Sequence, residues 1–449
     1  MAKTAAVLYA CAECGYSTGK WLGRCPGCGS WSTLAEETQS AVGARHESKP
    51  LLRLVDVEAA DAERIRTGVA ELDRVLGGGL VPASLVLVSG DPGIGKSTLL
   101  LMALRALSES RKVVLVTGEE SAAQVKLRAD RLGGGADVRV LAETNLDTVC
   151  ATLERERPEV CVVDSVQTLY APELGSAPGS VAQVREAAGR LLRVAKEMRI
   201  ATFLVGHVTK EGAVAGPRVL EHLVDCVLQF EGDRYRANRV LRAVKNRFGS
   251  TNEIGVFEMT GSGLVGIQDP SSLFGRAEDA QPGSALACAL EGSRPLVLEV
   301  QALVSQSDLA MPRRVATGVD PKRLAMIVAV LGRHAGVALG QADVFVNVAG
   351  GVRVDEPGAD LAVALAIAGA AKRRPLRSGL AAFGEIGLTG RLRPAAQAER
   401  RLAECAKLGL AEVLAPEEIA AHGKLLVKAA ATLRQAIDAG LDASGSSDG

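Results

Sequence analysis

Residues 90–97 read Gly-Asp-Pro-Gly-Ile-Gly-Lys-Ser, a G-x4-G-K-[ST] string between an apolar β-rich run (Leu85–Val88) and a helical run (Thr98–Leu107). Few patterns restrict a fold so closely. A strand must deliver the chain to a glycine-rich turn, and a helix must start directly after it. The glycines let backbone N–H groups approach phosphate oxygens. Lys96 supplies charge at the β/γ-phosphates, Ser97 supplies a hydroxyl for Mg²⁺, and the helix N-terminus adds its dipole. Gly90, Asp91, Pro92, Gly93, Ile94, Gly95, Lys96, Ser97 and Thr98 are the expected contacts of ATP.

Three further runs, KVVLVTG, EVCVVDS and ATFLVGH, each end in a small or polar residue, and helical stretches such as QVREAAGRLLRVAKEMR separate them. Strands alternating with helices imply a mostly parallel α/β sheet covered on both faces. The run Val160–Val163 ends in Asp164, the acid expected to support the Mg²⁺. Glu119 and Glu120 end the neighbouring run, and one of them is expected to polarise the attacking water. Glu120 is preferred; the competing reading for either is an N-cap carboxylate for the next helix. His207 ends ATFLVG and is either a γ-phosphate sensor or a structural histidine.

Four of the nine cysteines fall in the first 28 residues, as Cys11-x2-Cys14 and Cys25-x2-Cys28 with ten residues between the pairs. Two such knuckles close a tetrahedron of thiolates around Zn²⁺. Gly15, Gly27 and Gly29 permit the tight turns. A segment this short has no core of its own, so metal binding would supply its folding energy. The only tryptophans, Trp21 and Trp31, flank the second pair; packing onto the metal core is preferred over contact with nucleic acid.

The chain has 449 residues, room for two to four domains. Its 52 basic and 52 acidic side chains cancel, so any polyanion-binding surface must be local. Aromatics at 3% disfavour a base-stacking platform of the single-strand-binding type. No secretory n-region opens the chain, and no apolar run reaches the roughly 20 residues that span a bilayer. With an odd, clustered cysteine set, a cytoplasmic protein without membrane contact is expected. Composition marks out a knuckle (1–34), a linker (35–50), an α/β region (51–268), a second linker (269–284), another α/β region (285–435) and a disordered tail (436–449). RYRANRVLRAVKNR, residues 234–247, holds six cations and no acid. On a strand Lys245 and Arg247 share a face, which suits phosphate or DNA; a solvated basic edge strand is the alternative.

The four-cysteine knuckle, GDPGIGKS and Lys245-Asn246-Arg247-Phe248-Gly249, in that order, resemble the bacterial RadA (Sms) family of RecA-like repair and recombination ATPases. The resemblance covers almost the whole chain. It implies a RecA-like core, a hexameric ring moving along single-stranded and branched DNA, branch migration, and a recombinase of the RecA type as partner. It carries the water-activating role to Glu120 within Gly118-Glu119-Glu120-Ser121, and assigns Lys245 and Arg247 to ATP-coupled DNA work across a subunit boundary.

Residues 285–435 resemble the peptidase domain of Lon proteases. The matching stretch, Asp355-Glu356-Pro357-Gly358-Ala359-Asp360, has Gly358 where Lon has its serine, and the lysine position falls near Glu399. Without hydroxyl and amine there is neither nucleophile nor activator. This region is expected to self-associate and to meet duplex DNA, with Arg313 and Arg314 presented by a loop. A DNA-dependent ATPase motor is thus preferred over a nucleotide-switched scaffold and, further behind, an ATP-dependent protease.

Overall fold

The computed structural model describes residues 7–11, 16–38, 53, 63–134, 137–206, 220–232, 238–271, 281–354, 356–417, 419 and 423–442. His207, Arg234, Arg236, Cys14, Gly15 and Asp355 lie outside them. The chain divides into two compact units, residues 1–251 with 257–266, and 252–256 with 267–449.

The first unit opens with a small antiparallel sheet, β1 (Val7–Cys11), β2 (Ser17–Thr18) and β3 (Leu34–Thr38), in the order β2-β1-β3. Residues 35–38, expected in a linker, are strand: Leu8 pairs with Glu37 and Ala10 with Ala35. Backbone pairing here overrides a polar composition.

Helix α1 (Ala70–Leu76) precedes the P-loop strand β4 (Leu85–Gly90), and α2 (Lys96–Ser108) follows it. Then come β5 (Val113–Thr117), α3 (Ala122–Arg131), β6 (Arg139–Ala142), α4 (Leu146–Glu156), β7 (Val160–Asp164), α5 (Val181–Met198), β8 (Ala201–Val205), β9 (Cys226–Glu231), β10 (Asn238–Asn246), β11 (Ile254–Thr260) and β12 (Gly263–Gly266). They form one nine-stranded sheet, β12-β11-β10-β9-β4-β8-β7-β5-β6. From β9 to β6 every pairing is parallel, whereas β10 runs antiparallel to β9.

Both faces are covered, and side-chain alternation sorts the core into two layers. Val86, Val88, Leu115 and Val162 face one layer with Leu99, Leu100 and Leu104 of α2. Leu85, Leu87, Val116 and Val163 face the other with Val184, Ala188 and Leu191 of α5. A strand buried on both faces reads as a continuous apolar run, which is why these segments stand out in the sequence.

The second unit holds β13 (Ser284–Glu291), β14 (Arg294–Gln306), β15 (Arg314–Thr317), α6 (Pro321–His334), β16 (Ala342–Val348), α7 (Asp360–Lys372), β17 (Leu380–Ala382), the short pair β18 (Glu385–Ile386) and β19 (Leu392–Arg393), α8 (Ala398–Lys407), β20 (Glu412–Ala415), β21 (Leu426–Ala429) and α9 (Leu433–Gly440). The main sheet runs β15-β16-β14-β13-β17-β20-β21. Helix α7 is apolar all round and buried from Asp360 to Gly369, as a helix inside a core must be.

Two expected boundaries move. Ser271, assigned to a linker, is fully buried, donates to Glu404 Oε1 at 2.6 Å and accepts from Val297 N at 3.1 Å. Its small hydroxyl looks like linker composition but is satisfied inside the unit. Residues 436–440, assigned to the tail, complete α9, which Thr432 and Gln435 start with a capping box.

Asp360 opens α7 and is nearly inaccessible; it accepts from Arg323 Nη2 at 2.6 Å and from Ile386 N at 3.2 Å. Asp360→Ala strands the partly buried guanidinium and is expected to destabilise the second unit by about 3–5 kcal/mol. In calorimetry of the full chain, the transition of this unit should fall while the one that ATP shifts stays in place.

Candidate functional site

The P-loop leaves β4 at Gly90, whose φ of +148° and lack of a side chain let it pass Phe230; a Cβ would sit 2.5 Å from the Phe230 carbonyl oxygen. Gly95, at φ +116°, ends the loop, and a Cβ there would lie 2.7 Å from Met259 Cε. Helix α2 then starts with no side-chain cap, so its first N–H groups are left for a phosphate. Nothing lies within 4 Å of the Cβ position of Gly93, and Asp91 and Pro92 are exposed, while Ile94 anchors the loop in the core.

Lys96 is buried and donates to Gly90 O at 2.7 Å and Asp91 O at 3.0 Å, folded over the loop it must serve. Burial pulls its pKa down, and the carboxylates of Asp164, Asp91 and Glu119 pull it back up. Ser97 and Thr98 follow, half-buried, on the first turn of α2. A cavity of about 220 Å³ adjoins the loop, lined by Gly90, Asp91, Ile94, the last three residues of β9 and the Gly232 that follows it. These groups fit a nucleotide triphosphate. A cavity of about 310 Å³ between α2 and α3 is lined largely by apolar side chains such as Leu101, Val125 and Val140 and does not suit one.

Register decides which acids reach Lys96. Strands β5 and β7 pair so that Thr117 lies opposite Asp164, and Gly118 N donates to Asp164 O at 3.1 Å. The turn after β5 is closed by the Thr117 hydroxyl, which accepts from Glu120 N at 3.1 Å. Glu119 accepts from the Ser165 hydroxyl at 2.6 Å and is close enough to act on Lys96 electrostatically. Glu120 Oε2 instead lies 2.8 Å from Arg128 Nη2 on α3. Neither glutamate caps α3: Ser121 does, accepting from Gln124 N. Glu119 thus shares the Lys96 end of the sheet with Asp164, while Glu120 pairs with α3. Ser165, which no sequence signal singled out, orients the Glu119 carboxylate.

Lys245 Nζ donates to Glu221 O at 2.5 Å and Val224 O at 2.8 Å. Arg247 Nη1 lies 3.1 Å from Asp225 Oδ1, and Asp225 Oδ2 also accepts from Leu85 N at 3.1 Å. Both cations thus grip the 221–225 turn beside the P-loop strand. They do so through a bulge between Ala243 and Lys245 and a turn after Asn246, not by simple alternation along a strand. β10 lies between β9 and β11, so the edge-strand alternative falls. Asp225 was not anticipated, since an isolated Asp carries no motif.

In the knuckle, the Sγ atoms of Cys11, Cys25 and Cys28 all lie within 4.8 Å of one another, with Cys11 and Cys28 at 3.7 Å. A tetrahedron with Zn–S of about 2.3 Å has sulfurs about 3.8 Å apart, so the three fit Zn²⁺. Cys14, the expected fourth ligand, lies outside the described residues. Cys25 N donates to Ser30 O at 2.8 Å, and Gly29, at φ +78°, turns the chain. Trp21 and Trp31 do not pack on this centre: Tyr9 and Leu34 do, and the indoles are 57% and 72% exposed.

In the second unit a Cβ on Gly358 would lie 2.8 Å from Glu356 Oε2 and 2.9 Å from Arg401 Nη2. Arg401 is fully buried, pairs with both Glu356 oxygens at 2.7 Å and donates to Ala396 O at 2.9 Å. The basic residue facing Gly358 is therefore Arg401. Glu399, expected there by counting along the chain, is exposed on α8. A guanidinium does not deprotonate in a protein, so Arg401 cannot serve as a base. Of the pair expected on a DNA-facing loop, Arg314 donates to Leu339 O at 2.7 Å and to Ala342 O, which leaves its charge held against the sheet.

Three family models match: an AAA domain over 48–213, a rubredoxin metal binding domain over 9–36, and the ChlI subunit of Mg-chelatase over 320–419. The DNA repair protein RadA of Pseudomonas aeruginosa is 50% identical over 446 residues, covering 96% of this chain and 98% of that protein. RadA of Bacillus subtilis is 45% identical over 428 residues, covering 93% of each. Among solved structures, the RadB recombinase aligns at 21% identity and a TM-score of 0.37, covering 45% of this chain and 99% of its own. No helix among the described residues is long and apolar enough to cross a membrane. With a P-loop ATPase core, a zinc ribbon and a Lon-like second unit, the chain belongs to the RadA family of DNA repair proteins.

Proposed function

We propose that the chain is a DNA-stimulated ATPase motor that promotes branch migration of recombination intermediates. The observation that carries this reading is the convergence of Lys96, Asp164 and Glu119 where β4, β7 and β5 end. Lys96 releases the Gly90 and Asp91 carbonyls to meet the β/γ-phosphates. The N–H groups of the loop and of the start of α2 hold the phosphate oxygens in place. Ser97 and Asp164 would hold Mg²⁺, which when bound neutralises charge between the two phosphates. Glu119, steadied by Ser165, accepts the proton of the attacking water.

Lys245 and Arg247 are proposed to link hydrolysis to DNA movement. Both bond to the turn that feeds β9, so a displacement of that turn reaches the P-loop strand through Asp225 and Leu85. A hexamer that places them at a neighbour's nucleotide, single-stranded and branched DNA as substrates, a RecA-type recombinase as partner and a cytoplasmic location complete the proposal. The limits drawn from composition, with the moves described above, are proposed as its working divisions, and the Lon-like unit as a platform without peptidase activity. A nucleotide-switched scaffold is the second reading; loss of branch migration in a variant that binds but cannot hydrolyse ATP would decide against it.

Three outcomes test these roles. Glu119→Gln should bind nucleotide normally and lose about 10²–10⁴-fold in turnover, whereas Glu120→Gln should lose only its ion pair with Arg128 and keep most of its rate. The reverse order in a steady-state ATPase assay would return the role to Glu120. Lys245→Ala should fold and bind ATP but uncouple hydrolysis from DNA, and mixing it with Lys96→Ala should restore some activity. No recovery at any mixing ratio would exclude action between subunits. Metal analysis should find one Zn²⁺ per chain, released by chelator or acid because the thiolates must be deprotonated to bind. The P-loop unit should keep its ATP affinity after release.

A further inference from the structure

We infer that the surface of the knuckle around Gly23 is a stacking site for unpaired bases of single-stranded nucleic acid. Both tryptophans of the chain stand here, 57% and 72% exposed, in a protein with only 3% aromatic residues. A Cβ on Gly23 would lie 3.8 Å from Trp31 Cζ3 and 3.9 Å from Trp21 Cη2, so the two ring edges converge over one point. An antiparallel bridge between Arg24 and Trp31, and the Ser32 N to Gly23 O bond at 2.8 Å, hold the two sides of this turn together. The rings are not needed for packing, because Tyr9, Leu34 and the cysteines make the small core.

The charge around the rings points to the same occupant. Residues 16–33 carry Lys20 and Arg24 and no carboxylate. The Arg24 guanidinium stands 5.8 Å from the Trp31 ring centroid and donates to Gly29 O at 2.8 Å, which fixes both the ring and the cation. Leu22, next to Trp21 in the chain, is exposed as well. Flat faces for bases with cations for the backbone are what a strand without fixed sequence requires. Phosphate alone would call for cations without the indoles.

The inference rests on the reading of the chain as DNA-dependent, and one experiment separates the two. Tryptophan emission reports on this surface alone, since both tryptophans lie in it. The zinc-loaded full chain is titrated with an oligothymidylate and with an abasic strand of equal length, following emission and ATP hydrolysis together. The oligothymidylate is expected to quench emission and the abasic strand to leave it nearly unchanged. Trp21→Ala and Trp31→Ala should each weaken oligothymidylate binding about tenfold, with zinc content unchanged. Trp31→Phe keeps a ring and should retain most of the affinity, which serves if an alanine variant loses zinc. Stimulated hydrolysis with unchanged emission, equal quenching by the abasic strand, or quenching only by a protein partner would overturn the stacking site and leave the ATPase reading standing. Neither quenching nor stimulation would overturn both.

Discussion

Strand β4 is the fixed point of the first unit. It is paired in parallel on both sides, by β8 and β9, and buried on both faces from Leu85 to Gly90. A strand so placed cannot slip by one residue without moving every side chain into the wrong layer. Its C-terminal end is therefore a rigid origin from which the P-loop is launched. Its other end is held by Asp225, which accepts from Leu85 N while pairing with Arg247. The same buried carboxylate thus ties the nucleotide-binding strand to the Lys-Asn-Arg-Phe-Gly segment, and the two most diagnostic strings of the sequence meet through it.

Features set by local chemistry were legible in the sequence. The P-loop declares itself because strand, glycine turn and helix are consecutive, and the zinc knuckle because its ligands are paired at short spacing. What remained illegible depends on register across strands. Glu119 and Glu120 are equivalent as composition; the Thr117–Glu120 turn and the pairing of β5 with β7 place one beside Asp164 and the other beside Arg128. Counting along the chain put Glu399 opposite Gly358, yet the turn before α8 and the pitch of that helix bring Arg401 there. Exposure of Trp21 and Trp31 was also hidden, since a large aromatic beside a metal site is ordinarily expected to pack on it.

In the second unit the surroundings of Gly358 are taken up by an ion pair between Glu356 and Arg401. Buried ion pairs cost desolvation and persist only when every donor and acceptor is used. Glu356 takes two bonds from Arg401 and one from Leu290 N, and Arg401 also reaches Ala396 O and Cys288 O and stacks on Phe383. The space next to Gly358 is filled by that network, so a serine placed there would meet the Glu356 carboxylate. A lysine in place of Arg401 would lose the two-pronged grip on Glu356 that keeps the charge tolerable.

In a chain of zero net charge only local groups of cations can attract a polyanion. Of its 52 basic side chains, several of the most suggestive are consumed internally. Lys245 caps the carbonyls of a turn, Arg314 those of Leu339 and Ala342, Arg323 balances the buried Asp360, and the buried Arg401 pairs with Glu356. A cation held this way adds little to a counterion-release term, because its field is already matched by a fixed partner. The knuckle differs. Arg24 is likewise held, by Gly29 O and the Trp31 ring, but Lys20 stands in a stretch (16–33) with no acid, and bases brought close would have two indoles to rest on. Weak long-range attraction then suffices there, because stacking supplies affinity that salt does not screen.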